Sequence, residues 1–129
     1  MTTFVWLDEA VALAVHERSL LLHGGAAGIR DVGLLQSGLG RAQQISAYDD
    51  SADLGGLAAA YTAGIVKNHP ILDGNKRTGF VLGILFLELN GAHFIASEEP
   101  ATDAVLNLAA GTIDDAGYAL FLRSNITLD

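Results

Sequence analysis

The 129-residue chain has no cysteine, two prolines and one tryptophan, and its seven lysines and arginines are outnumbered by 15 aspartates and glutamates. The absence of cysteine excludes disulfides and thiolate metal sites. The formal charge of −8 disfavours contact with a phosphate backbone, so we expect no nucleic-acid partner. Three of the seven cations, Lys67, Lys76 and Arg77, nevertheless fall within eleven positions, beside His69, which indicates a pocket for a small anion.

The chain also lacks a long hydrophobic run. The longest, residues 79–87, is about half of the roughly 20 residues that a membrane-spanning helix needs. The N-terminal segment has no basic region, and Asp8 and Glu9 interrupt its apolar part, so it does not resemble a signal peptide. We therefore expect a cytoplasmic protein with no membrane contact. Its length and its 50% apolar content predict a single folded domain over residues 1–129.

The spacing of apolar residues predicts an all-α bundle of six helices with almost no sheet. The fourth helix is apolar on all sides and is therefore expected to lie buried in the middle of the bundle. Small residues in the third helix, among them Gly64, should allow a neighbouring helix to approach closely. The expected helices run from Asp8 to about His23, Asp31 to about Gln43, Ser51 to about Asn68, Gly74 or Asn75 to Asn90, Ser97 to about Ala110, and Thr112 through Leu122.

The most informative stretch is NHPILDGNKRTGF, residues 68–80, which joins the third and fourth helices. The start of a buried helix offers unpaired N–H groups and the positive end of the helix dipole, and it therefore binds phosphate. Gly74 lets a phosphate approach the backbone, and Asn75 can donate and accept hydrogen bonds there. Lys76 and Arg77 add positive charge, and arginine can hold two phosphate oxygens at once.

Two further residues of this stretch carry chemistry. Asp73 offers an oxygen ligand beside the phosphates, where a magnesium ion with several retained waters would lie. His69 is suited to take a proton from a hydroxyl near neutral pH. Together they suggest a nucleotide-dependent transfer to a protein hydroxyl. A purely structural helix-capping loop explains any one of these residues, but it explains the whole set at this spacing poorly.

Other polar residues have simpler explanations. His16 and His23 are expected on the surface of the first helix or in satisfied positions, and His93 in a briefly extended segment is expected to be structural or exposed. We expect Arg30 to form a surface ion pair rather than to bind a ligand. Residues 44–51 are expected to connect two helices.

The stretch resembles the motif of the Fic/Doc superfamily, His-x-Phe-x-(Asp/Glu)-Gly-Asn-x-Arg, in the form His-Pro-Ile-Leu-Asp-Gly-Asn-Lys-Arg, residues 69–77. The segments GIRDVGLLQSGLGRAQ, LAAAYTAGIVKNHP and NLAAGTIDDAGYALFLR also resemble the Doc, or death-on-curing, branch. The likeness covers nearly the whole chain.

This resemblance implies a Fic-type bundle that uses ATP and magnesium to modify a hydroxyl of a translation protein. Doc phosphorylates a threonine of elongation factor Tu, whereas Fic relatives transfer AMP. By the resemblance, His69 would be the base and Asp73 the magnesium ligand. The anion hole would be formed by Gly74, Asn75, Lys76 and Arg77, the last two also assisting catalysis.

Departures from the motif bear on the reaction. AMP-transferring relatives usually have a second glycine and a further arginine where this chain has Lys76 and Phe80. Without that arginine a phosphate contact is lost, and the lysine would crowd the loop. We therefore expect phosphoryl transfer, with an AMP transferase and a catalytically inert binding protein as alternatives. Ile71 replaces the usual phenylalanine, which predicts a looser turn.

The chain contains no Ser/Thr-x-x-x-Glu-(Gly/Asn) string of the kind with which many Fic proteins inhibit themselves. An active enzyme would then need restraint by another protein. The resemblance implies an antitoxin whose disordered segment folds as a helix in a groove of the toxin. The expected partners are therefore an antitoxin and a protein of the translation machinery.

Overall fold

The computed structural model describes residues 3–128, which form six helices and one two-stranded antiparallel sheet. The all-α architecture expected from the sequence is confirmed. None of the helices in this part of the chain combines the length and hydrophobicity that crossing a membrane requires. The elements are α1 (Glu9–His23), α2 (Val32–Tyr48), α3 (Leu54–Asn68), α4 (Asn75–Leu89), β1 (Ala92–Phe94), α5 (Glu98–Ala110), α6 (Asp115–Arg123) and β2 (Ile126–Leu128).

Three helix boundaries differ from the expectation. Helix α2 continues through Tyr48, so most of the expected connection at 44–51 is helical. The cap of α3 is Asp53 rather than Ser51, because its Oδ1 accepts the amide N–H of Gly56 at 3.0 Å. The cap of α6 is likewise an aspartate, residue 114, and not Thr112. Aspartate at the N-cap accepts an otherwise unpaired amide N–H, which explains both of these helix starts.

Asp53 also ties the start of α3 to the end of α6. Its two carboxylate oxygens accept hydrogen bonds from Nε and Nη2 of Arg123, at 2.6 and 3.0 Å. This two-pronged pair, with the charge of Arg123, holds the pKa of Asp53 below its usual value. The contact fixes the N-terminal end of α3, at the opposite end from the turn that leads to α4.

Helix α3, not α4, is the helix enclosed on all sides. Every residue from 57 to 65 is buried, and the helix packs against α2, α4 and α6. Helix α4 lies between α1, α3 and α5, but it leaves Val81 and Leu89 at 38% and 48% exposure. The expectation of burial on every side of α4 is therefore wrong at those positions. Its N-terminus is nevertheless fixed, because Thr78 and Gly79 are buried against α3.

Close contacts between backbones hold α3 in place. A Cβ atom built on Gly64 would lie 2.5 Å from the carbonyl oxygen of Gly38 in α2. On the other side, Thr62 donates its hydroxyl to the carbonyl oxygen of Gly79 at 2.8 Å. The small residues that predicted a close approach of helices are therefore used in that way.

The two-stranded sheet packs beside α4 and α6. His93 of β1 pairs with Thr127 of β2 in an antiparallel register. The ring of Phe94 packs edge-on against Phe80 of α4 and Phe121 of α6, with centroids 5.8 and 6.0 Å apart. The sheet thereby fixes an aromatic wall beside α4.

The contact between Gly38 and Gly64 predicts the effect of added methyl groups. Gly64→Ala should lower the free energy of unfolding by about 1–3 kcal/mol, because two backbones would have to separate. Gly40→Ala in the same helix as Gly38 is the matched control, since its Cβ would meet no atom within 4 Å. Alanine there should be neutral or stabilise by about 0.5–1 kcal/mol. Chemical denaturation measures both, and equal stability of the two variants would contradict this packing.

Candidate active site

The candidate site is the turn between α3 and α4. Helix α3 ends at Asn68 because His69 adopts the left-handed conformation, with φ 56°, and Pro70 follows. Gly74 is also left-handed, with φ 83°, and directly precedes α4. Because glycine has no side chain that could cap the helix, the first amide N–H groups of α4 are free to bind an anion.

The loop between α1 and α2, residues 24–31, holds this turn in place. The amide N–H groups of Arg30 and Asp31 both donate to the carbonyl oxygen of Pro70, at 2.7 and 3.0 Å. Next to them, Ile29 and Ile71 form an isolated antiparallel bridge. Ile71 is 3% exposed, so isoleucine anchors the turn where the motif has phenylalanine. The expected loosening of the turn is not seen.

Asn75, the first residue of α4, orients the ring of His69. Its Oδ1 accepts the amide N–H of Ile71 at 3.1 Å and its Nδ2 donates to the Ile71 carbonyl at 2.9 Å, which fixes the side-chain amide. The same Nδ2 lies 2.8 Å from Nδ1 of His69. Because Nδ2 only donates, Nδ1 must accept and carries no proton. In the neutral ring the proton is then on Nε2.

Asp73 lies at the exposed edge of the turn. Its Oδ2 accepts the amide N–H of Ala26 at 3.3 Å, and a Cβ atom on Gly25 would lie 2.6 Å from the same oxygen. Residues 3–128 contain no cluster of three or more acidic or histidine side chains suited to a metal. A single carboxylate fits magnesium, which keeps several waters and is completed by substrate phosphates. It does not fit a metal that needs a full set of protein ligands.

The two cations of the motif lie side by side at the start of α4. Both Lys76 and Arg77 are exposed and line the cavity described below. Arg77 donates from Nη1 to the hydroxyl of Ser19 at 3.2 Å, which ties it to α1. The Ser19 side chain is 8% exposed, so one end of the guanidinium is held while the rest faces solvent.

Lys67 is engaged elsewhere. Its ammonium pairs with Asp115 of α6, which also accepts from Nη2 of Arg41 at 2.6 Å. Burial alone would raise the pKa of Asp115, but the hydrogen bonds and charges of Lys67 and Arg41 together lower it. The expected group of three cations therefore reduces to two that are available at the turn.

A cavity of about 1010 Å³ opens beside the turn. One end is polar and contains His69, Asp73 and the start of α4. The other end is an apolar groove between α4 and α5. Its lining includes Phe80, Ile84, Phe94, Ala101, Val105 and Leu106. The cavity is large enough for a nucleotide-sized ligand together with part of a second molecule.

The other histidines lie apart from this chemistry or at its rim. His23, expected at a surface or satisfied position on the first helix, lines the cavity. His16 is 5% exposed and neither ring nitrogen has a hydrogen-bond partner among the described residues, so the expectation of a surface or satisfied position is wrong. His93 is exposed, as expected, and it also pairs with Glu88.

Sequence reasoning missed the residues that hold the motif from outside it. These are Arg30 and Ala26 of the α1–α2 loop and Ser19 of α1. No spacing rule connects them to the motif. The only signal was the string GIRD, residues 28–31, which carried part of the family resemblance.

Fold and site define an all-α protein with a cavity at an uncapped helix start, where a histidine that ends one helix contacts the first residue of the next. The chain belongs to the Fic/DOC family, whose profile matches residues 6–87. Protein kinase doc of Escherichia phage P1 is 33% identical over 111 residues, which cover 86% of this chain and 87% of that protein. Toxin Doc of Mycolicibacterium smegmatis is 36% identical over 74 residues, 57% of each chain.

The amide of Asn75 predicts which nitrogen of His69 carries the proton. In ¹⁵N NMR spectra at about pH 8, where an ordinary histidine is neutral, Nδ1 should appear unprotonated and Nε2 protonated. His93 is an internal control, because its Nδ1 lies 2.8 Å from a carboxylate oxygen of Glu88 and must donate. Asn75→Asp, which offers only acceptors, should shift the His69 proton to Nδ1. A protonated Nδ1 of His69 in the unmodified protein would contradict the arrangement.

Proposed function

We propose that this protein is the toxin of a toxin–antitoxin pair and phosphorylates a serine or threonine hydroxyl of a translation protein, such as elongation factor Tu, with ATP and magnesium. The observation that carries the proposal is the uncapped start of α4, which opens into the cavity beside His69 and Asp73. The likeness to a protein named Protein kinase doc, over 87% of its length, supports the choice of reaction. Because the proposed target takes part in translation, the protein would act in the cytoplasm.

In this proposal the start of α4 binds the phosphates of ATP. The N–H groups from Gly74 onward would donate to phosphate oxygens, in the direction that the helix dipole favours. Lys76 and Arg77 would balance the negative charge. Since Ser19 holds one nitrogen of Arg77, the guanidinium approaches the phosphates from a fixed side. Transfer of a phosphoryl group needs this positioning more than it needs covalent chemistry from the protein.

Asp73 would hold the magnesium ion. An ion held there would supply positive charge to offset the negative charge that develops during transfer. The N–H of Ala26 and the close approach of Gly25 keep the carboxylate at the edge of the turn, where it can be reached from the cavity. A larger residue at 25 would push the carboxylate away from this position.

His69 would accept the proton of the attacking hydroxyl. Such a base contributes about 10²–10⁴-fold to a rate. In the described arrangement the lone pair of Nδ1 is occupied by Asn75, and Nε2 carries the proton. Proton acceptance therefore requires that Asn75 release Nδ1 or that the ring proton move to Nδ1. In either case Asn75 helps to control when His69 can accept a proton, in addition to its place in the anion site.

Phe80 supports phosphoryl transfer over AMP transfer. It stands where AMP-transferring relatives have an arginine, and its ring packs against Phe94 as part of the apolar wall of the cavity. An apolar wall cannot replace the lost phosphate contact. Lys76 is weaker support for phosphoryl transfer. Its side chain is exposed and therefore does not crowd the loop as its size suggested.

The apolar groove between α4 and α5 would receive a helix of the antitoxin. Its lining residues present a hydrophobic surface that is continuous with the proposed ATP site. A helix laid in such a groove is a common mode of recognition. It would restrain the enzyme in trans by lying beside the phosphate site.

The reaction is tested by incubating the purified protein with a bacterial translation extract, magnesium and ATP labelled at either the α or the γ phosphate. We expect protein labelling from the γ phosphate alone. Its rate should fall about 10²–10⁴-fold in His69→Ala and stay unchanged in His93→Ala, an exposed histidine away from the cavity.

Each other outcome has a distinct meaning. Labelling from the α phosphate would identify an AMP transferase and would contradict the weight placed on Phe80. With a working positive control, absence of label from either position would indicate an inert binding protein. Equal rates for His69→Ala and the unmodified protein would remove the histidine from the mechanism.

A further inference from the structure

Arg30 grips the end of α3 with its side chain. Nε donates to the carbonyl oxygen of His69 at 2.7 Å, and Nη2 donates to the carbonyl oxygen of Asn68 at 3.0 Å. Its own amide N–H donates to Pro70 at 2.7 Å. One residue therefore contacts three consecutive carbonyl groups, those of residues 68, 69 and 70, at the point where the chain leaves the helix.

These contacts correct the expectation that Arg30 forms a surface ion pair. Within the described residues, the partners of its guanidinium are carbonyl oxygens and not carboxylates. The last carbonyl groups of a helix have no partner inside it, and the helix dipole makes them favourable to a cation. Arg30 therefore serves as a side-chain cap that arrives from a different part of the chain.

The cap acts where the backbone is least relaxed. His69 is the only residue other than glycine with positive φ in the described part of the chain. Residues with a side chain rarely adopt this conformation, and it persists only where the surroundings impose it. Arg30 bonds the carbonyl of this very residue and of its two neighbours. These bonds fix the direction in which the His69 side chain leaves the backbone.

The geometry points to Arg30 as a positioning residue for His69. By holding the left-handed turn, it places the imidazole against Asn75, where Nδ1 accepts from Nδ2 at 2.8 Å. Arg30 does not reach the reacting atoms itself. The effect of Arg30 on catalysis rests on the proposed function of His69. Its effect on the position of the imidazole ring is independent of that function.

The shape of the guanidinium is part of the inference. Two nitrogens in one plane reach two adjacent carbonyl oxygens, which the single ammonium of lysine cannot do in the same way. Arg30→Lys keeps the positive charge near the end of α3 but removes the fork, that is, the pair of coplanar nitrogens that bond two carbonyl oxygens. Arg30→Ala removes both. Arg18→Ala is a matched control, because Arg18 is an exposed arginine of α1 that does not line the cavity.

Three measurements on each folded variant separate positioning from general stability. Hydrogen exchange follows the His69 amide, which bonds the carbonyl oxygen of Ile65 at 3.0 Å. The ¹⁵N shifts of the His69 ring report its contact with Asn75. The labelled-ATP assay gives kcat and KM for ATP, and thermal melting confirms that the variant is folded.

In Arg30→Ala we expect exchange at His69 to accelerate about 10- to 100-fold, as for the loss of a hydrogen bond to a charged group. The His69 ring shifts should move toward those of a free imidazole. The kcat should fall on the order of 10²-fold with KM for ATP unchanged, because the whole ring leaves its place beside the phosphate site, whichever nitrogen takes the proton, while the phosphate site stays intact. Arg30→Lys should give smaller changes of the same kind, and Arg18→Ala none.

Unchanged His69 exchange and ring shifts in Arg30→Ala would overturn the inference, even if activity fell. If Arg30→Ala does not fold, Arg30→Lys decides by the same signals, since unchanged values there would show that the fork is not needed. Failure of the proposed function would give a different result from failure of this inference. In that case the unmodified protein would transfer no label, while the His69 signals would still respond to Arg30.

Discussion

The carbonyl oxygen of Pro70 accepts the amide N–H groups of both Arg30 and Asp31, and this contact joins the loop before α2 to the turn before α4. The middle residues of the turn, Leu72 and Asp73, are exposed, so it is held by this loop and by the side chain of Asn75. The bridge from residue 29 to residue 71 lies beside the contact, and the cap on the end of α3 comes from the same loop. The geometry of the candidate site therefore depends on a segment some forty residues earlier in the chain.

The distribution of charge follows from this arrangement. The chain has a formal charge of −8, and three of its seven lysines and arginines pair with carboxylates of the protein itself. Arg41 and Lys67 pair with one aspartate of α6, and Arg123 pairs with the aspartate that caps α3. Lys76 and Arg77 remain beside the uncapped end of α4. An acidic protein can therefore still attract an anion at one place.

Local rules gave the turn itself. The proline at 70 required α3 to end just before it, and the following glycine and asparagine marked the start of α4, as the structure has them. The burial of α3 on all sides could not be predicted by local rules, because an apolar helix is buried only on the sides where neighbours pack. The role of Arg30 could not be predicted either, since a side chain that bonds carbonyl groups 38 and 39 positions away produces no pattern in the sequence.

Amide NMR spectra can show whether the turn between α3 and α4 binds phosphate, as we propose. The protein would be titrated with magnesium and a non-hydrolysable ATP analogue. We expect the largest shifts at the amides of residues 74–77, and a weaker effect of magnesium in Asp73→Asn. Shifts confined to a second cavity, around Asp49 and Gly56, or no shifts at saturating analogue, would show that the turn does not bind phosphate.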